Sequence, residues 1–552
     1  MRCKFAWQWL TVTTGSPMGT FGTLNWAILI AYVLLNLLLG FVLSKRIATA
    51  EDFYLGRRTT PWWAIGVSVV ATYVSALSFL GGPAWSYTDS LAVIAIHLNY
   101  PIVVFIVVTF FLPFFFNSGV ASIYEYMERR FGATSRSVIS GVFLVSQALT
   151  SAAILYATSL VIQFITGVDV VTAIVAVTII ALIYTMMGGI TAVIWTDVIQ
   201  AAVLFVGAFI VFVALLGEMP APVSEVLADL KAQGKTNPLD FSFDWSVEAT
   251  VWSGIIAMTI FHVTVDGANQ MMVQRTLAAK NIGDAKKSFL LMGFGAFFIY
   301  FLFFLLGILF YGYYGGREFE NGNTIILEFV AEYGMPGLMG IIAAAIVAAS
   351  MSSLDSSFNS LATISTVDFY EKYYRPGESP EHYLRVTRGF TVVWALLIIV
   401  PAIIYSQSEG SILQTLSRIG SYFVGAKLSM YGLGFFSKQT TERGLLVGVV
   451  VGFAVIWYVA TQTDIAWPWY CLIGGVSNIV ISLVASRIID GRQEEWSEYS
   501  IVGQQKAFRD RGLPEQDGGW YLVPGRVDRI SYLLLGFFAL TIVFLYLFEQ
   551  MI

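Results

Sequence analysis

Apolar residues in this chain fall into long runs broken by short polar stretches. Several runs reach about 20 residues or more, enough to cross a bilayer core of roughly 30 Å. Fourteen can be drawn, over residues 24–44, 62–88, 91–115, 137–165, 169–187, 191–216, 249–272, 288–314, 335–366, 385–406, 411–437, 441–462, 466–486 and 528–549. The pattern predicts an all-α integral membrane protein with about 14 transmembrane helices, numbered here spans 1 to 14. Two polar segments are long, 217–248 and 487–527.

Charge fits the same division. Basic residues concentrate on the cytoplasmic side of membrane proteins. With the N-terminus outside, 24 of the 31 Lys and Arg residues fall on cytoplasmic connections and five on outside segments, while Arg418 and Lys427 lie inside span 11. The expected location is the cell (inner) membrane, multi-pass, with the N-terminus outside. Composition changes the picture little: 57% of the 552 residues are hydrophobic and 12% charged, where a soluble domain carries roughly 25% charged residues. The net charge of −5 is small and scattered, so no nucleic-acid partner is expected. Cys3 and Cys471 make neither a disulfide framework nor a metal site. Segment 1–23 lacks the apolar core and cleavage site of a signal peptide, and Met18 offers an alternative start. There is no nucleotide loop, kinase signature, paired catalytic carboxylates or activated nucleophile, so the chain is not expected to be an enzyme.

Polar groups at membrane depth are costly and therefore informative. Span 2 is interrupted by Ala71-Thr72-Tyr73-Val74-Ser75-Ala76-Leu77-Ser78, followed by Gly81, Gly82 and Pro83. Span 7 is interrupted by Thr264-Val265-Asp266-Gly267-Ala268-Asn269-Gln270. Such segments let a helix unwind and free carbonyls to coordinate a cation, although one alone is more often a packing kink. The two lie five spans apart, which points to inverted repeats over spans 2–6 and 7–11. Span 9 carries the richest polar run, Ala349-Ser350-Met351-Ser352-Ser353-Leu354-Asp355-Ser356-Ser357. Helical spacing puts Ala349, Ser352, Ser353 and Ser356 on one side. Serines can back-bond to carbonyls one turn earlier and allow close packing. An aspartate among five of them favours an ion site, since a hard cation takes oxygen ligands.

The segment Gly188-Gly189-Ile190-Thr191-Ala192-Val193-Ile194-Trp195-Thr196-Asp197-Val198-Ile199-Gln200 resembles the signature of the sodium:solute symporter family. Gln274-Arg275-Thr276-Leu277-Ala278-Ala279-Lys280 is most similar to the sodium/sugar cotransporter branch, and reads as a cytoplasmic loop feature. The Ser352–Ser360 run with Thr363, Thr366, Asp368 and Tyr370 is similar to the second family signature. The resemblance covers about residues 24–486 and implies a leucine-transporter-type five-plus-five inverted repeat with discontinuous helices. It implies Na+ as coupling ion, held by the carbonyls of Ala71, Val74 and Ala349 and the hydroxyls of Ser352 and Ser353. It also implies a possible second cation site at Asp197 and Ser356 with Ser352. Asp355 departs from relatives that have a hydroxyl there and resembles the proline-type branch; it could strengthen that site, take a proton or pair with a neighbour.

The solute pocket is less legible. On the sugar branch's pattern, Ser78 replaces a glutamine, His97 a glutamate, and Val265-Asp266 a Tyr-Trp gate; the position of the sialic-acid branch's arginine falls near Thr150. Neither pocket is reproduced. Ser75, Ser78, His97, Gln147, His262 and Asp266 fall near the expected midplane and are the candidate solute-binding residues, with Tyr73 and Tyr87 as possible aromatic lids. Arg418 could attract an anion near the outer mouth or simply snorkel to the interface. The expected organisation is an outside segment 1–23, an extra span and loop 24–61, repeat one 62–216, outside loop 217–248, repeat two 249–437, and a C-terminal region 438–552. The chain reads as a sodium-coupled symporter acting as a monomer in the lipid bilayer. Its expected cargo is a small polar solute, a sugar or polyol, with a small organic anion or amino acid as the alternative. A membrane-embedded solute sensor would need a fused signalling domain and a channel a continuous polar pore; neither is visible.

Overall fold

The computed structural model describes residues 21–44 and 59–552, apart from residues 119, 121, 188, 189, 408, 409, 492 and 494. Expectations about residues 1–20 with Cys3, the loop 45–58 and the Gly188-Gly189 pair lie outside the described residues.

A helix occupies each of the fourteen runs: Thr23–Ser44, Trp62–Tyr73 with Ala76–Thr88, Leu91–Ser118, Ala133–Thr166, Val170–Met187, Ile190–Gly217, Ser253–Gly267 with Gln270–Leu277, Ile282–Tyr314, Leu338–Tyr374, Pro380–Tyr405, Ile412–Phe436, Glu442–Gln462, Pro468–Ile489 and Ser531–Met551. Spans 4, 8 and 9 run longer than their apolar stretches. Capped polar turns extend them, as where Asn281 accepts from the Asp284 amide at 2.8 Å to start span 8. Within a bilayer every backbone group needs an internal partner, which is why apolar runs become helices and breaks need protein around them.

Both expected interruptions are present. Span 2 stops at Tyr73, restarts at Ala76 and bends by 52° between its halves. Ser75 caps the second half, its hydroxyl accepting from the Leu77 amide at 3.2 Å. Span 7 stops at Gly267 and restarts at Gln270, with Asn269 accepting from the Met271 amide at 3.0 Å. Glycines bring backbones together around the breaks: a Cβ on Gly307 of span 8 would run into the Pro83 carbonyl, and one on Gly81 would lie 2.8 Å from the Leu413 amide of span 11. Spans 12 and 13 close on each other through the same device, Gly444 against Ser486 and Gly448 against Ser482.

The connections tie the ends. In the segment after span 6, the Lys235 ammonium donates to the carbonyls of Tyr87, Thr88 and Asp89 at 3.1, 2.9 and 2.8 Å, closing the C-terminal end of span 2. At the opposite end, Arg136 pairs with Asp368 at 2.5 Å and Lys286 with Asp528 at 2.5 Å. The polar segment before span 14 holds a helix, Ile501–Asp510, and a two-stranded hairpin of Gln516–Asp517 with Trp520–Tyr521.

Candidate functional site

The break in span 2 leaves carbonyls without their usual partners. The last regular bond of the first half runs from the Val74 amide to the Val70 carbonyl at 2.8 Å, and the next backbone acceptor used is Ser75. Among the described residues, no backbone amide takes up the carbonyls of Ala71, Thr72, Tyr73 or Val74. Span 9 faces this gap with Ser353, whose hydroxyl lies 3.4 Å from the Thr72 carbonyl and 3.2 Å from the Ala349 carbonyl. These are long bonds, and they gather hydroxyl and carbonyl oxygens from both helices around one point.

The serines of span 9 sort into two kinds. Ser350, Ser356 and Ser357 donate to the carbonyls of Ile346, Ser352 and Ser353 one turn earlier, at 2.8, 2.8 and 2.7 Å. Ser352 instead donates to Asp197 Oδ1 of span 6. Asp197 is fully buried, and its other oxygen takes the Ser68 hydroxyl at 2.5 Å and the Arg275 guanidinium at 3.3 Å. Arg275 also donates to Ser68 at 3.0 Å, to Ser356 at 2.5 Å and to the Met271 carbonyl at 2.9 Å. This corrects the reading of the Gln274–Lys280 motif as a loop feature. Gln274 to Leu277 belong to the second half of span 7, and Arg275 is 1% exposed, its charge on Asp197 rather than in solvent. The break at Ala268-Asn269 aims that half-helix inward, so an arginine beyond an apolar run becomes an interior residue.

Asp355 is buried beside the Thr185 hydroxyl of span 5. A sodium at Asp197 would share that carboxylate with Arg275, whose guanidinium also holds the Ser356 hydroxyl.

A second polar cluster lies where spans 2, 3, 7 and 8 meet. His97 stacks on Tyr300 with ring centroids 3.7 Å apart and 8° between planes, and its Nδ1 is 2.7 Å from the Tyr100 hydroxyl. His262 Nδ1 is 2.7 Å from Asn99 Oδ1, and Asn99 donates to the Gly254 carbonyl at 2.7 Å. Tyr73, at the break of span 2, packs edge-on against Tyr100, His262 and Tyr300 at centroid distances of 5.3, 5.9 and 6.2 Å. Ser78 meets the Tyr300 hydroxyl at 3.0 Å. Asp266 lies within electrostatic reach of Tyr73, Tyr100 and Tyr300. It is fully buried, and neither carboxyl oxygen has a hydrogen-bond partner among the described residues. His97 Nε2 is unpartnered in the same way.

The structure therefore brings Ser78, His97, His262 and Asp266 into one cage, with Ser75 at its edge as a helix cap. Gln147 stands apart, donating to Ser357 at 2.8 Å. Arg418 is exposed, in keeping with snorkelling. Tyr87 bonds the Arg317 carbonyl at 2.5 Å, in a vestibule of about 1180 Å³ lined also by Tyr156, Lys235, Tyr311 and Ser411. Sequence reasoning missed Tyr100, Tyr300 and Asn99. The Asn99-Tyr100-Pro101 triplet inside span 3 was a usable signal for two of them; Tyr300, in an aromatic-rich span, gave none.

Three comparisons bear on this arrangement. The profile of the sodium:solute symporter family matches residues 53–452. The sodium/sialic acid symporter SiaT of Proteus mirabilis is 30% identical over 476 residues, covering 84% of this chain and 95% of that protein. The sodium/glucose cotransporter of Vibrio parahaemolyticus is 30% identical over 436 residues, covering 73% and 78% respectively. A solved substrate-bound, outward-open Na+-coupled sialic acid symporter superposes with a TM-score of 0.79 at 29% identity, over 86% of this chain and all of that one.

Proposed function

We propose, for a chain that belongs to the sodium:solute symporter family and is a sodium-coupled symporter of the leucine-transporter-type fold, that sodium held between spans 2 and 9 drives a small polar solute held between the breaks of spans 2 and 7. The observation that carries the reading is the set of open carbonyls at residues 71–74 faced by Ser353 across the helix boundary. The sodium ligands are the carbonyls of Ala71, Val74 and Ala349 and the hydroxyls of Ser352 and Ser353. A hard cation there takes oxygens from two helices and so couples their separation to ion occupancy. The repeats are residues 62–216 and 249–437, and the N-terminus lies outside, which places the Tyr87 vestibule on the extracellular face.

The inward sodium gradient and the membrane potential supply the work, each charge moved across 100 mV contributing about 2.3 kcal/mol. Sodium bridges spans 2 and 9 in the outward-facing state. The solute then enters the cage of Ser75, Ser78, His97, His262 and Asp266, and the bundle rocks inward. Loss of sodium to the cytoplasm parts the bridge. With both repeats in one chain, a monomer suffices. Asp355 and Ser356, with a share of Asp197, form the candidate second cation site. The cargo is read first as a sugar or polyol, from the motif likeness to the sugar branch. A small organic anion is the second reading, favoured by the likeness to sodium/sialic acid symporters.

Uptake into proteoliposomes tests the reading, with labelled sugars, polyols, sialic acid, proline and monocarboxylates under an inward sodium gradient or with potassium in its place. Sodium-dependent accumulation of one solute supports it. If sodium alters neither uptake nor thermal stability, the reading fails.

A further inference from the structure

The polar segment before span 14 lies beyond both repeats, yet it is bonded to their spans on the face opposite the vestibule. Its far part is anchored on spans 3 and 8. The Gly525 amide donates to the Thr109 carbonyl of span 3 at 2.8 Å, and Asn117 donates to the Leu522 carbonyl at 2.6 Å. Thr109 sits in a wide turn, Val107–Phe111, where the regular helical bonding is interrupted. On span 8, the Lys286 ammonium donates to the Tyr521 carbonyl at 2.8 Å and to Asp528 at 2.5 Å. Trp520 covers Gly283 so closely that a Cβ there would lie 2.6 Å from the indole ring. The near part, helix Ile501–Asp510, packs against span 11 instead. Just before it, the Tyr499 carbonyl accepts from the Tyr126 hydroxyl at 3.0 Å.

The segment therefore bridges span 11 to spans 3 and 8, and what it crosses is a seam of rings. Phe435 of span 11 stands 5.0 Å from Phe111 and 4.4 Å from Phe114 of span 3, centroid to centroid, and Phe436 stands 5.5 Å from Phe110. The seam adjoins the break of span 7: a Cβ on Gly267, next to Asp266, would lie 2.9 Å from the Phe111 ring. The two parts of the segment meet at a thin joint. Gln505 donates to the Pro524 carbonyl at 2.8 Å, and Gln504 reaches the Phe114 carbonyl of span 3 at 3.4 Å. Both glutamines are half-buried, so water can replace these bonds when they part. Rings also separate without leaving a polar group unpaired. The far anchor differs, because Lys286 and Asp528 are buried and breaking such a pair strands two charges. If the segment yields, it yields at Gln504 and Gln505.

We propose that residues 499–530 form a strap over the seam of spans 3 and 11, and that its joint at Gln505 and Pro524 opens each time the solute cage opens away from the vestibule. This rests on the symport reading and adds a moving part to it. Closed, the strap ties span 11 to the spans that carry His97 and Tyr300 and so favours the state open to the vestibule. Rocking of those spans parts the rings below and the joint above, while the Lys286–Asp528 anchor travels with spans 3, 8 and 14.

Locking the joint tests the assignment. In the full chain with Cys3→Ser, Gln505→Cys and Pro524→Cys are joined in proteoliposomes by a short, cleavable bifunctional thiol reagent. Linking should lower sodium-driven uptake about tenfold or more, since a blocked conformational step stops every cycle, while the sodium-induced rise in melting temperature persists. Cleaving the link should restore uptake, which separates locking from damage, and each single-cysteine variant should transport alike with and without the reagent. Gln505→Leu, which loosens the joint, should raise the half-maximal sodium concentration about threefold or more, because a state that sodium disfavours gains population. Parental uptake in the linked protein, a pair that fails to link, a loss that cleavage does not reverse, or unchanged sodium dependence in Gln505→Leu overturns the proposal while leaving symport standing. Absence of any sodium dependence in the unsubstituted chain overturns the symport reading itself.

Discussion

Removing the hydroxyl of Ser353 separates the ion site from the scaffold that carries it. In Ser353→Ala the lost contacts are bonds of 3.2 Å to the Ala349 carbonyl and 3.4 Å to the Thr72 carbonyl. Both are long, and a net hydrogen bond contributes about 0.5–1.5 kcal/mol at good geometry, so the cost to the sodium-free protein lies at or below the low end of that range. A sodium ion loses more, because the hydroxyl dipole faces a full charge. A bond to a charged group is worth about 1.5–3 kcal/mol, which converts to roughly 10- to 150-fold in sodium affinity at 1.4 kcal/mol per decade. The assay is the sodium concentration giving half-maximal uptake, with the sodium titration of melting temperature as an activity-free check. Ser353→Ala should shift both by an order of magnitude or more, with apparent solute affinity at saturating sodium changed less. Ser353→Thr, which keeps the oxygen, should stay near the parent. Ser350→Ala, whose hydroxyl back-bonds to the Ile346 carbonyl at 2.8 Å, should leave sodium dependence alone. A half-maximal sodium concentration within twofold of the parent for Ser353→Ala would refute the placement of the ion between spans 2 and 9.

Other expectations follow from the same geometry. Arg275→Gln leaves Asp197 buried and uncompensated, which should destabilise by about 3–5 kcal/mol; the drop in melting temperature should be partly reversed in the double variant with Asp197→Asn. Asp266→Asn removes no hydrogen bond and relieves a buried acid, so melting temperature should hold or rise while uptake falls; a large loss of stability would show that an unseen partner holds the carboxyl. Gly307→Ala drives a methyl group into the Pro83 carbonyl of span 2, and overpacking of this kind costs about 1–3 kcal/mol, read as a lower melting temperature with uptake lost in step.

The fold was legible where membrane physics acts on the sequence directly. A run of about 20 apolar residues has few fates besides a helix, so the spans emerge at the expected places, with differences at their ends. Those differences arise because polar turns such as Ala133–Ser137 and Ile282–Lys287 continue a helix into the interface without being apolar. The breaks were legible for the same reason. Gly267 to Gln270 and the hydroxyl-rich stretch of span 2 cannot be cheaply helical and unsupported in lipid, and each marks a change of direction.

The partners of the charges were not legible, because pairing depends on how helices far apart in sequence come together. Asp197 and Arg275 lie 78 residues apart and read as a motif aspartate and a loop arginine; only the inward aim of the second half of span 7 makes them a pair. Lys427 and Ser146, 281 residues apart, read as one stray cation and one serine among many. Arg275 closes onto a carboxylate, whereas Lys427 closes onto a neutral hydroxyl. Asp266, a carboxyl with no donor among the described residues, was legible as a polar residue in an apolar span but not as a group set among tyrosines at the break of span 2.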